Sequence, residues 1–294
     1  MPWLKITFAA RKVELDELSS RLESAGAQSI TIEDAEDRPL FDYVDGHLPV
    51  WDNSIISGLF DAVSGREAVL SALQSRFGTQ ELPEHQIEEI PDTDWERSWL
   101  DRYQPQQYGD RLWVCPTWHD AVDESATTLF LDPGLAFGSG THETTSMCLK
   151  WLAEHPPVGQ HVIDYGCGSG ILAIASLKLG ADSAIGIDID PQALQASRAN
   201  AEHNETSQAL QLYLPADLSK PLKADLIFAN ILANTLLDLK DSLLAMRSEQ
   251  GTLVLSGILK EQADRIRTAF SPGNTIALVQ DGDWVMMTVE KTAE

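Results

Sequence analysis

The sequence predicts a small α+β domain followed by a larger α/β domain built on a mostly parallel sheet. Three observations carry this. Residues 1–90 read β-α-β-β-α-β. From about residue 119 apolar strands alternate with helices. One of those strands runs into its helix through a glycine-rich turn, Asp164-Tyr165-Gly166-Cys167-Gly168-Ser169-Gly170. At roughly 100–200 residues per domain, 294 residues also suit two domains.

The elements follow in order. Residues 3–9 alternate as a strand, and residues 11–25 space Val13, Leu15, Leu18 and Leu22 for a helix, with Gly26 as its C-cap. Ser29–Glu33 reads as a strand, Ile55–Val63 as a third, Arg66–Phe77 as a helix and His85–Ile90 as the last strand. This is the split β-α-β order of ferredoxin-like domains. Residues 91–118 form a connector with four tryptophans. Trp95 and Trp99 share one helical face, which either packs the connector onto a domain or lines a substrate path.

From residue 119 to 294 the alternation continues. A helix spans about Glu143–Glu154, then strand His161–Tyr165, helix Ile171–Leu179, strand Ala184–Ile189 and helix Pro191–His203. Strands Leu210–Leu214 and Ala224–Ala229 follow, then a helix near Asn234–Met246, strand Thr252–Ser256 and helix Lys260–Phe270. The chain ends in a hairpin around Asp281-Gly282-Asp283. Alternating β and α implies a Rossmann-like parallel sheet covered on both faces. The hairpin inserts one antiparallel strand.

Composition removes several classes. Hydrophobic residues at 43% and charged residues at 22% are ordinary for a globular chain. No apolar run has the ~18–20 residues of a membrane span, and the N-terminus lacks a signal-peptide core, so a cytoplasmic protein is expected. The net charge of -24 opposes binding to bare phosphate backbone and suits a basic protein partner. Cys115, Cys148 and Cys167 are far apart and form no Cys-x-x-Cys, and the histidines lack ligand spacing. Neither a disulfide framework nor a metal is expected.

The glycine turn carries the chemistry. Glycine permits positive φ and lets backbone amides approach a ligand closely. Asp188 ends the next strand, where a carboxylate can accept both hydroxyls of an adenosine ribose. The spacing is G-x-G-x-G preceded by Asp164, not the dinucleotide G-x-G-x-x-G, and no G-K-[ST] follows for a phosphate loop. This pattern resembles the first motif of class I S-adenosylmethionine-dependent methyltransferases. In that family the turn faces the methionine end of the cofactor, and the acid holds the ribose. The inserted antiparallel strand agrees with the same family.

A second site lies at the end of the fourth strand, Asn230-Ile231-Leu232-Ala233. Methyltransferases of amino or amide nitrogen carry [N/D]-P-P-[Y/F/W] there, and the Asn or Asp accepts hydrogen bonds from the target nitrogen. The asparagine is kept, whereas the prolines and the aromatic are not. A flexible aliphatic amine fits better than a flat base. The alternative is that Asn230 caps the following helix, but its strand-end position favours the acceptor role. No histidine or carboxylate stands out as a base, which leaves water to take the proton.

The loop Leu131–Thr145 is the third element. Phe137 with Gly134, Gly138 and Gly140 suits a lid, and Thr141, Thr144 and Thr145 open a helix whose amino end suits a carboxylate. His142 is a ligand, a base or a cap. Asp217 is either an adenine contact or an ordinary loop carboxylate.

LDPGLAFGSGTHETT, VIDYGCGSGILAIAS, GIDIDPQAL and ANILA, in this order, resemble the ribosomal protein methyltransferases of the PrmA type. The likeness spans the whole chain. It implies transfer of methyl groups from S-adenosylmethionine to lysine side chains and the N-terminal α-amine of the eleventh large-subunit ribosomal protein, up to trimethylation. It implies a substrate-gripping domain at 1–90, a hinge at 91–118 and a methyltransferase domain at 119–294. By position it carries over cofactor contacts at Thr145, Gly166, Asp188 and Asn230, to which the residue reading adds Asp164, Gly168 and Phe137. Asn230 touches cofactor, substrate or both, and is the catalytic candidate. A monomer is expected.

Other readings remain. A methyltransferase of small molecules is disfavoured by a whole recognition domain, and one of nucleic acid by the acidic charge. A non-catalytic binding protein is disfavoured by the intact glycines, Asp188 and Asn230, and a nicotinamide oxidoreductase by the glycine spacing.

Overall fold

The structure is a computed structural model that describes residues 3–35, 51–61, 63, 65–78, 82–90, 103–123, 125–131, 140–218 and 222–292. The chain divides into two compact units, Met1–Arg102 and Tyr103–Glu294. The tryptophans expected to share a face, Trp95 and Trp99, lie outside the described residues.

In the first unit β1 (Trp3–Arg11), β2 (Ser29–Asp34), β3 (Asn53–Asp61) and β4 (His85–Ile90) form an antiparallel sheet in the order β2-β3-β1-β4. Helices α1 (Leu15–Ser24) and α2 (Arg66–Phe77) complete the expected β-α-β-β-α-β order. Leu4, Ile6, Phe8 and Ala10 alternate along β1 and are buried. They meet Leu18 and Leu22 of α1 and Leu73 and Phe77 of α2 in one core. The period of two on the strand and of four on the helices gives each element one apolar side. The first helix starts at Leu15, later than residue 11. The Glu14 carboxylate accepts the Arg11 backbone N–H at 2.9 Å and its guanidinium at 2.8 Å, which closes a tighter 3-10 turn first.

The second unit opens with a three-stranded sheet, β5 (Gln106–Tyr108), β6 (Leu112–Pro116) and β7 (Thr127–Leu131). Sequence placed residues 103–118 in the connector. Here they belong to the second unit, because Tyr108, Leu112 and Val114 enter its core. The Tyr108 hydroxyl donates to the Gly140 carbonyl at 2.8 Å. Burial pushes that phenol up to about 12.

The main sheet has seven strands: β8 (His161–Tyr165), β9 (Ser183–Ile187), β10 (Leu210–Tyr213), β11 (Ala224–Asn230), β12 (Arg247–Leu259), β13 (Asn274–Asp281) and β14 (Trp284–Lys291). Their order is β10-β9-β8-β11-β12-β14-β13, parallel except that β14 runs against both neighbours. The expected inserted strand is therefore β14. Helices α3 (Glu143–Glu154), α4 (Ile171–Lys178) and α5 (Pro191–His203) precede β8, β9 and β10, and α6 (Ala233–Asp238), α7 (Lys240–Met246) and α8 (Ala263–Phe270) follow β11 and β12.

Consecutive strand residues feed opposite cores. Leu226 and Phe228 pack with α3 and α4, while Ile227 and Ala229 pack with Leu236, Leu243 and Ile266. That two-sided burial is why the strands read as continuous apolar runs. Two elements differ from expectation. The helix near 234–246 is a pair meeting at Leu239, and each half buries a leucine, Leu236 and Leu243. Strand β12 extends to Leu259, because β14 pairs with it across a register shift between Leu255 and Ile258.

Candidate active site

The order of strands reverses between β8 and β11, and open α/β sheets bind ligands at such a point, beyond the carboxyl ends of the strands. The glycine turn leaves β8 there. Gly166, Gly168 and Gly170 have φ of 78°, 52° and 77°, all left-handed, where a side chain is strained. The turn is pinned from two sides. Gly166 and Cys167 donate to the Ile187 carbonyl at 2.7 and 3.1 Å. From α5, Ser197 donates to the Gly168 carbonyl at 2.8 Å and Asn200 to that of Ser169 at 2.9 Å. A Cβ on Gly170 would come within 2.9 Å of Ser197 Oγ.

Asp188 follows β9 and is half-buried. Its Oδ2 accepts Gly168 N–H at 2.9 Å and its Oδ1 accepts Asp190 N–H at 3.0 Å. Each carboxylate oxygen carries two acceptor sites, so capacity for hydroxyls remains. The next residue, Ile189, is 82% exposed, an apolar side chain standing in solvent beside that acid. Asp217 lies exposed in the turn after β10.

Asp164 lies under the turn, 1% exposed, where its Oδ2 accepts the Ala173 N–H of α4 at 3.2 Å. Burial pushes its carboxyl up to about 7. The Ala173 amide opposes the shift and the charge of Asp188 adds to it. Its partner is thus the helix start that follows the turn. Burial likewise raises the Cys167 thiol within the turn.

Asn230 ends β11, half-buried, and its Nδ2 donates to Thr145 Oγ1 at 3.1 Å. Oδ1 is then the acceptor end of the side chain. Thr145 is in the first turn of α3, whose start is held by Ser256 Oγ donating to the Thr144 carbonyl at 3.0 Å. His142 caps that helix, its Nδ1 accepting from Thr144 N–H at 3.3 Å. Of the sequence alternatives for His142, the structure thus exhibits the cap.

The structure therefore brings Gly166, Gly168 and Asp188 together at the turn, bonds Asp164 to the helix that follows it, and joins Asn230 to Thr145. Ile231 links the two groups, since a Cβ on Gly166 would overlap Ile231 Cγ2. Phe137, the expected lid residue, lies outside the described residues, as do Gly134 and Gly138. Sequence reasoning missed Ser197, Asn200 and Ser256. Ser197 and Asn200 did leave a signal, being polar residues three apart on the face of α5 that also carries Ala193, Leu194 and Ala201.

A family model described as ribosomal protein L11 methyltransferase (PrmA) matches residues 2–292. A ribosomal protein L11 methyltransferase of Klebsiella pneumoniae (strain 342) is 46% identical over 292 residues, covering 99% of this chain and 100% of that protein. One of Salmonella newport (strain SL254) is 47% identical over the same span, with the same coverage. The crystal structure of a ribosomal protein L11 methylase from Lactobacillus delbrueckii subsp. bulgaricus superposes with a TM-score of 0.59 at 34% identity, covering 65% of this chain and all of that one. Sheet order, site geometry and full-length similarity converge, and the chain belongs to the ribosomal protein L11 methyltransferase family.

Proposed function

We propose that this S-adenosylmethionine-dependent methyltransferase methylates lysine side chains and the N-terminal α-amine of ribosomal protein L11, with Asn230 as the catalytic residue that orients the amine. The observation that supports this is the Asn230–Thr145 hydrogen bond, which holds the Asn230 side chain at the end of β11 with Oδ1 as its acceptor end.

The residues present suit the cofactor. The positive-φ glycines expose backbone to a close-lying ligand. Asp188 has acceptor capacity for two ribose hydroxyls, and the exposed Ile189 offers an apolar wall to the adenine. Thr145, at the amino end of α3, lies where the helix dipole favours a carboxylate. When bound, S-adenosylmethionine supplies an electrophilic methyl group on a sulfonium. The chain's own residues bind and orient.

Asn230 Oδ1 accepts a hydrogen bond from the amine N–H and turns the nitrogen lone pair toward the donor. Placing two reactants in line supplies much of the acceleration of a one-step displacement. Lysine has a reference pKa near 10.4 and attacks only as the neutral amine, so the proton leaves to water before transfer. Ile231-Leu232-Ala233 lacks a flat clamp. Leu232, 42% exposed, instead presents an aliphatic surface to an aliphatic chain. The net charge of -24 favours encounter with a basic ribosomal protein. The first unit, residues 1–90 of it, is assigned the grip on that substrate.

Mass spectrometry tests the reading. The purified chain is incubated with S-adenosylmethionine and a mixture of large-subunit ribosomal proteins, and each component is weighed. Increments of whole methyl groups on L11 alone, mapped to lysines and the N-terminus, are expected. Increments on another component, or on L11 residues other than amines, would remove the assignment.

A further inference from the structure

Ile231 stands between the two halves of the site, and its surroundings are unusual. Its Cγ2 lies so close to the glycine turn that a Cβ on Gly166 would overlap it. Its main chain lies against Gly257, where a Cβ would overlap the Ile231 carbonyl oxygen and come within 2.8 Å of its carbon. Both glycines have left-handed φ, 78° at Gly166 and 79° at Gly257. The rest of the side chain packs on the core formed with α6, α7 and α8. Ile231 is therefore seated on three sides, by the glycine turn, by Gly257 of β12 and by the core. Asn230, its neighbour in sequence, is held on a fourth side by Thr145.

We propose that Ile231 is a positioning residue whose Cβ branch sets the separation between the glycine turn and Asn230. The proposal rests on the assignment of the turn to the methyl donor and of Asn230 to the amine. A side chain that only filled space would point into the core and tolerate any shape of equal volume. Here one methyl of a half-buried residue meets a backbone that has no side chain to yield, and the opposing wall is main chain as well. Thickness at that methyl is thus converted into distance between the two reacting partners, and a displacement of about 1 Å costs on the order of 100-fold in rate.

Shape separates this role from packing. Ile231→Val keeps both Cβ branches, whereas Ile231→Leu keeps the volume and drops the branch. The readouts are Kd for S-adenosylhomocysteine by calorimetry, kcat and KM in methylation of L11, and Tm. Ile231→Val is expected within about twofold of wild type in kcat, and Ile231→Leu about tenfold or more below it, with Tm nearly unchanged and KM for L11 little moved. A second series uses the turn itself. Gly166→Ala weakens S-adenosylhomocysteine binding, and adding Ile231→Ala restores part of it by removing the overlapped methyl, while the strain of a side chain at φ 78° remains. Adding Ile231→Ala to Gly257→Ala restores nothing, because that overlap is with main chain. Equal kcat in the Leu and wild-type enzymes, or no relief of Gly166→Ala by Ile231→Ala, would overturn the spacer role alone. Failure of the wild-type chain to bind S-adenosylhomocysteine would overturn the site assignment and the spacer with it.

Discussion

The two ends of the seven-stranded sheet are built from the same strands and differ in what the chain leaves exposed around their hydrogen-bonded groups. At the amino ends the groups close on one another. Asp225 accepts His161 N–H at 3.1 Å and Ser248 O–H at 3.0 Å, and the His161 ring lies 2.8 Å from Ser183 Oγ. Arg247 donates to the Val289 carbonyl at 3.2 Å and to Asn274 Oδ1 at 2.7 Å. At the carboxyl ends the chain turns on three left-handed glycines and leaves Asp188 half-buried, Ile189 82% exposed and Leu232 42% exposed. Satisfied groups hold strands in register. Groups left facing solvent at the switch point are those available to a ligand.

If the carboxyl end is the working end, its substitutions should change binding and rate with little change in fold. The largest effect is expected for Gly168→Val. Its φ of 52° is poor for any side chain and worst for a branched one, and its N–H holds Asp188 at 2.9 Å. Binding of S-adenosylhomocysteine should fall by about 100-fold or more while the far-UV spectrum persists. Unchanged affinity would break the comparison at its strongest point. Next comes Asn230→Ala, which removes the acceptor for the amine and the donor to Thr145. A fall in kcat on the order of 100-fold is expected, by analogy with loss of one fixed hydrogen bond in a transition state. If only KM for the donor rises, Asn230 serves the cofactor and not the amine.

The same contrast explains what sequence reveals. The central strands were legible because burial on both faces demands unbroken apolar runs such as Leu226–Ala229, whereas the mostly exposed β13 was legible from the hairpin turn Asp281-Gly282-Asp283. Gly166, Gly168, Asp188 and Asn230 were legible because each marks a turn or a strand end, a local property. β5 and β6 were not. They have three and five residues, too short for alternation to stand out beside the prolines and glutamines around them, and their burial depends on α3 far along the chain. Ile231 was legible as a member of the acceptor motif but not as a spacer. Its close approach to Gly166 and Gly257 exists only once three separate strands are brought together.

Two carboxyl groups, one at each end, sharpen the comparison in stability. Asp164 lies under the glycine turn, with burial pushing it up to about 7, the Ala173 amide opposing and Asp188 adding. In the unfolded chain a carboxyl titrates near 3.9, so between these values the folded chain holds the extra proton. Stability from this group is therefore full below about pH 4 and is lost as pH rises through about 7. Asp164→Asn stays neutral and keeps an acceptor for Ala173. Urea unfolding should find the variant equal to wild type near pH 4 and more stable by up to about 4 kcal/mol near pH 8, at about 1.4 kcal/mol per pH unit. A difference independent of pH would mean that the buried carboxyl does not titrate in this range.

The smallest effect belongs to Asp225, at the closed end. Its carboxylate joins the starts of β8 and β12 through the His161 amide and the Ser248 hydroxyl. Asp225→Ala removes two acceptors, and both abandoned donors lie near enough to solvent to find water. The loss should be about 1–2 kcal/mol of unfolding free energy, the value of one or two modest hydrogen bonds. Affinity for S-adenosylhomocysteine and kcat should not move, since no strand is displaced at its far end. A fall in either, measured at a temperature where the variant is fully folded, would mean that the two ends are mechanically coupled through β8. The carboxyl end would then owe its geometry to the amino end as well as to its own turns.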